Sequence, residues 1–96
     1  MTQAAILRQR IPIDDAEHQV DMPITPVLWV GRSPAHPTDT ALDLWYADAV
    51  GLDREVRTFR VVGTGHTFEK EAGWEYRGSY ADVDLGLVWH LLERLG

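Results

Sequence analysis

The chain of 96 residues contains no cysteine. That removes a disulfide framework, a zinc knuckle and a thiol nucleophile together, and it fits a reducing compartment. Basic excess is missing too: nine Lys and Arg stand against 15 Asp and Glu, a formal charge of −6. Such a balance discourages binding to phosphate backbones or anionic bilayers, so neither nucleic acid nor membrane is expected among its partners. No apolar run approaches the ~20 residues of a membrane span. Arg8 and Arg10 interrupt the stretch from Ala4 to Ile13, which therefore lacks the apolar core of a signal peptide. A cytosolic protein is the expectation. Internal repeats and low-complexity linkers are absent as well, and residues 1–96 read as a single small β domain.

Catalytic signatures are equally scarce. Ser33 and Ser79 lie outside any Gly-x-Ser-x-Gly elbow. His18, His36, His66 and His90 are too far apart for a local metal motif, so no metal and no cofactor is expected. The aspartates concentrate in turns, where Asp is favoured for local backbone hydrogen bonding. No catalytic residue is assigned, and a non-enzymatic role is expected.

What is present is a succession of strand-like segments. Residues 3–13 alternate Ile6, Arg8 and Arg10 with Leu7, Gln9 and Ile11, and Pro12 ends the pairing. Residues 19–22 and 27–30 follow as short strands. Prolines at 12, 23 and 26 confine this region to edges and turns, because each removes a ladder donor. A turn-rich loop spans 35–40. Leu42, Leu44 and Tyr46 then alternate with Asp43 and Trp45, which suits a strand; a helix over 38–50, with Thr38 as N-cap, competes. Residues 54–62 carry apolar groups on both faces and read as a central strand. Phe68 to Gly73 is a charged loop. Residues 74–80 place Trp74, Tyr76 and, after Gly78, Tyr80 on one aromatic face, with the glycine hinting at a bulge. The segment 85–95 fits strand or short helix, since period alone does not decide a short apolar run. The fold expected is all-β and mainly antiparallel, with about six or seven strands in a twisted sheet or small sandwich.

One stretch combines strand propensity, two glycines and clustered polar groups: Arg57 to His66. Its Gly63-Thr64-Gly65-His66 turn needs backbone conformations with φ > 0 that other residues resist. Consecutive N–H groups in such a turn can cradle an anion, with Arg57, Arg60 and His66 supplying positive charge. The competing reading is a structural β-turn capped by its own histidine, and Gly-x-Gly alone is a weak signal. His90 reads as a hydrogen-bonded, half-buried histidine. The four tryptophans are expected mainly in the core, with Trp45, Trp74 and Tyr76 as candidates for an interface. Covering both faces of so few strands is difficult, so a homodimer is expected.

The order of these segments resembles a family of small proteins of unknown function found in phages, prophages and bacteria. The likeness rests on Phe59-Arg60-Val61-Val62-Gly63-Thr64-Gly65-His66 and Val88-Trp89-His90, with Val20-Asp21-Met22-Pro23 and Tyr76-Arg77-Gly78-Ser79-Tyr80 between and before them. It extends over nearly the whole chain and implies a closing strand at 85–93. Two departures are a Pro-rich, insertion-like loop at 34–40 and the lack of a proline after His66. The resemblance implies a phage accessory protein in the host cytoplasm; the absence of a catalytic constellation, the aromatic richness and the small size add the expectation that it acts by binding a host or phage protein. Two alternatives remain: a protein sequestering an anionic, nucleotide-like ligand at the turn, or a minor virion component.

Overall fold

The computed structural model describes residues 3–32, 41–83 and 86–95. The loop at 34–40, with Thr38 and His36, lies outside them. Among the described residues there are seven strands: β1 (Ala4–Pro12), β2 (His18–Pro23), β3 (Val27–Arg32), β4 (Ala41–Ala49), β5 (Arg54–Gly63), β6 (Trp74–Asp82) and β7 (Leu87–Arg94). A single 3-10 turn, Lys70–Ala72, sits between β5 and β6. The strands form a three-stranded sheet ordered β1-β4-β3 and a four-stranded sheet ordered β2-β5-β7-β6. Every pairing is antiparallel. The protein is all-β, and where a helix competed the described residues form strands, 41–49 of the first segment and 87–94 of the second. In β4 the alternation decides: Leu42, Leu44 and Tyr46 are all buried in the core. In β7 both faces are covered, Leu91 on one and Leu92 on the other, which explains why its sequence fits two periods.

Ile11, Met22, Val30, Leu42, Leu44, Tyr46, Phe59, Val61 and Leu91 form one buried cluster drawn from both sheets, so the architecture is a small sandwich. The proline-bearing strands β1 and β2 are edges, where a missing donor costs no ladder bond, and β5 is central. Gly78 allows β6 to lie against β3, since a Cβ there would stand 2.7 Å from Val30 Cγ2. The register of β6 on β7 shifts between Tyr76 and Gly78, leaving Arg77 as the extra residue of a β-bulge. That bulge corrects the expected aromatic face. Tyr76 pairs with Leu92, whereas Tyr80 pairs with Trp89 and packs against the core. Trp74, Tyr76 and Tyr80 therefore do not share a side.

Topology places the site. β5 and β6 both run antiparallel to β7 and so run parallel to each other with β7 between them. The connection 64–73 must return the length of the sheet across one of its faces. It crosses the face opposite the core. Val62 and Leu92 point to that face and yet are only 3% and 4% exposed. The crossover thus supplies a partial third layer that a two-sheet sandwich would lack.

Candidate functional site

The turn that ends β5 is built on two glycines with different jobs. Gly65 has φ of 89°, a conformation that side chains resist. Gly63 does not; it is needed because a Cβ there would meet the rings of Trp89 at 3.1 Å and His66 at 3.2 Å. The expectation that both glycines supply positive φ is corrected at Gly63. His66 folds back onto the turn: its N–H donates to the Gly63 carbonyl at 3.0 Å, and its Nδ1 accepts from the Gly63 N–H at 3.3 Å. A neutral His66 accepting at Nδ1 carries its proton on Nε2. The Thr64 N–H donates to Val88 O on the neighbouring strand at 3.1 Å. This anchors the turn to β7.

On the same side, four side chains from three segments make a continuous polar chain. Tyr76 Oη lies 2.7 Å from Ser79 Oγ, and Ser79 Oγ lies 2.7 Å from His90 Nδ1. His90 Nε2 in turn lies 2.8 Å from Thr64 Oγ1. The bulge makes this possible. Tyr76 and Ser79 are three apart and would face opposite sides of a regular strand, but the extra Arg77 returns Ser79 to the side of Tyr76, opposite His90. Val62, Leu92, Phe68, Tyr76 and His90 join the turn residues Gly63 to His66 around a recess of about 270 Å³ beneath the crossover connection.

The two arginines expected beside the turn are not in it. Arg57 points to the opposite face, into the gap between sheets, where its side chain is 6% exposed. Its Nε and Nη2 grip the Glu93 carboxylate at 2.7 and 2.8 Å, and its Nη1 donates to Thr25 O and Pro23 O at 2.8 and 3.0 Å. Arg77, the bulge residue, adds a third bond to Glu93 at 2.9 Å. Burial alone would raise the Glu93 pKa; the hydrogen bonds from Arg57 and Arg77 outweigh it and hold the carboxyl below its ordinary value. Arg60 does lie on the crossover side, and its guanidinium holds Asp15 Oδ1 at 2.9 and 3.1 Å. Of the six residues singled out around the turn, Gly63, Thr64, Gly65 and His66 come together at the recess; Arg57 and Arg60 do not line it.

The three interface candidates divide between the sheets. Trp45 lies on the outer face of β1-β4-β3, stacked at 5.0 Å and tilted 51° against Trp29. Trp74 lies under the Arg94 guanidinium at 5.3 Å, on the four-stranded sheet with Tyr76. Sequence reading missed Trp29, which is 64% exposed, and Ile6, 67% exposed, on the same outer face as Trp45. No sequence signal pointed to them: Trp29 and Trp45 are cross-strand partners in a register that shifts between Val27 and Trp29. Arg8, the partner of Trp45 on β1, reaches Asp43 at 3.8 Å across this face. Among the described residues no three His, Asp or Glu side chains converge as metal ligands would.

The model of the family described as "Domain of unknown function (DUF7352)" matches residues 2–95, and the chain belongs to that family. No curated protein and no solved structure matches the chain.

Proposed function

We propose that this member of the family acts by binding, as a non-enzymatic phage accessory protein that engages a host or phage protein in the host cytoplasm, and that its contact surface is the outer face of β1-β4-β3. The observation that supports this reading is the Trp29–Trp45 pair. A tryptophan left 64% exposed yet fixed by a ring 5.0 Å away is a preorganised anchor. It offers a large apolar surface with little side-chain entropy left to lose. Ile6 extends that surface along β1, and Arg8 gives it one charged edge. Trp74 and Tyr76, on the other sheet, cannot join the same contact.

The test uses immobilised protein and host lysate with quantitative mass spectrometry, followed by reconstitution with the purified prey. Wild type and Trp74→Ala should retain one prey at comparable yield, and Trp29→Ala should lose it. Equal capture by Trp29→Ala would move the contact elsewhere. Absence of any reconstitutable prey, combined with a concentration-dependent dimer in sedimentation that Trp29→Ala abolishes, would mean that the face meets a second copy instead.

A further inference from the structure

We infer that the recess beneath the crossover connection is a binding site for a small, uncharged, planar nitrogen heterocycle of nucleobase size. Four observations converge on that class, none of which involves the Trp29–Trp45 face.

Size comes first. A recess of about 270 Å³ falls just under the ~300 Å³ lower bound of drug-sized sites, enough for one or two fused rings and too little for a ring with sugar and phosphates enclosed. Its lining suits a flat guest. The floor is apolar, with Val62 and Leu92 nearly inaccessible, and the sides carry the rings of Phe68, Tyr76 and His90. The Tyr76 and His90 rings stand 6.4 Å apart and tilted by 51°, while Phe68 comes from the connection itself. Aromatic faces and edges in that arrangement attract a planar π-system beyond mere area burial.

Polarity sets the rest. His90 is fixed at both nitrogens by hydroxyls, Ser79 at 2.7 Å and Thr64 at 2.8 Å. A hydroxyl can donate or accept, so the chain Tyr76–Ser79–His90–Thr64 reverses its direction without creating a charge. Thr64 has an alternative acceptor in Val88 O at 3.5 Å, which lets its oxygen take a proton from Nε2 or give one. His66, accepting at Nδ1, leaves an Nε2–H donor at the rim. A fixed donor near a reversible donor–acceptor complements the ring-nitrogen and amide or amidine edge of a heterocycle. Charge then excludes the phosphorylated forms. Among the described residues around the recess there is no Lys or Arg: Arg57 is committed to Glu93 on the other face and Arg60 to Asp15. The net charge of −6 adds long-range repulsion for polyanions.

The experiment is a two-dimensional 15N–1H titration with adenine, cytosine and uracil, run beside AMP and a single-stranded oligonucleotide. At least one free base should give saturable shifts confined to 63–68, Tyr76 and His90. AMP and the oligonucleotide should bind more weakly than that base. Phe68→Ala should weaken binding about tenfold, the loss of one stacking contact. His90→Gln should weaken it as well, and Trp29→Ala should leave it unchanged. The same spectra report folding through the core amides of Phe59 and Leu91, so a variant that unfolds is recognised and Phe68→Ala, on the surface connection, carries the test. Absence of saturable shifts with any base, tighter binding of AMP, or unaltered affinity in Phe68→Ala would overturn the assignment.

Discussion

Replacing Glu93 with alanine is the sharpest probe of the buried ion-pair network on the inner face of the four-stranded sheet. The carboxylate is 4% exposed and receives two bonds from Arg57 and one from Arg77. Removing it leaves the Arg57 guanidinium buried with the carbonyls of Pro23 and Thr25 and the face of the Phe59 ring, and no opposite charge. Arg77 keeps Glu75 at 3.1 Å and suffers less. An uncompensated buried charge costs about 3–5 kcal/mol. Against the ~5–15 kcal/mol total of a domain this size, that is a large fraction. At roughly 4–8 °C per kcal/mol the melting midpoint should fall on the order of 20 °C. The double variant Arg57→Met/Glu93→Leu should recover most of the loss, because it removes both charges and keeps comparable volume. It does not orphan the Pro23 carbonyl, which retains the Thr25 N–H at 2.9 Å; only Thr25 O loses its donor. That residual cost is about 1–3 kcal/mol at most.

Urea unfolding at neutral pH measures all three proteins, and repetition in acid separates charge from packing. Glu93 has its pKa lowered in the folded state, so the folded state binds its proton less readily than the unfolded chain. Its contribution is complete above the unfolded carboxyl pKa and disappears as pH falls through the folded one. Wild type should therefore lose stability on acidification more steeply than the double variant. A Glu93→Ala cost below about 1 kcal/mol, the range of exposed ion pairs, would refute the reasoning. So would a double variant as unstable as the sum of its single changes.

Three further outcomes follow from particular contacts. Gly78→Ala places a methyl 2.7 Å from Val30 Cγ2 and should cost about 1–3 kcal/mol by chemical denaturation, with Val30→Ala in the same chain relieving part of it. Gly65→Ala meets no neighbour but must hold φ near 89°, so it should destabilise by about 1–2 kcal/mol, whereas Gly65→Asn should cost less. Trp29→Ala, on an exposed face, should change the unfolding free energy by under about 1 kcal/mol while abolishing the partner capture proposed above.

Much of the framework was legible because sequence period and strand geometry coincide. Leu42, Leu44 and Tyr46 alternate with Asp43 and Trp45, and that parity survives in β4 without interruption. Pro12 and Pro23 marked edge strands for a reason that needs no tertiary knowledge, the missing donor. The order β2-β5-β7-β6 was not legible, since pairing between strands distant in sequence follows from packing rather than from any local pattern. Nor, without it, was the crossover that roofs the recess. Parity did separate Arg57 from Arg60, which are three apart on one strand and so face opposite sides. It could not say which side was core, because β5 presents Phe59 and Val61 on one face and Val62 on the other, all buried.

The bulge at Arg77 is where local pattern and structure part company, and its effects are coupled. One extra residue sends Tyr80 into the core, contrary to the alternation counted from Trp74. It also turns Arg77 toward Glu93 and sets Ser79 opposite His90 beside Tyr76. Deleting Arg77 would leave Tyr76 against Leu92 and Gly78 against Leu91, so no partner across the ladder changes. The polar chain through His90 should then persist, while Glu93 loses one charged hydrogen bond of about 1.5–3 kcal/mol. Inserting a residue beside Arg77 instead sets Tyr76 and Ser79 four residues apart, two pairs along the same face, and should separate them and break the chain. If the His90 ring resonances respond to the deletion as strongly as to the insertion, register at the bulge does not set the geometry of the recess.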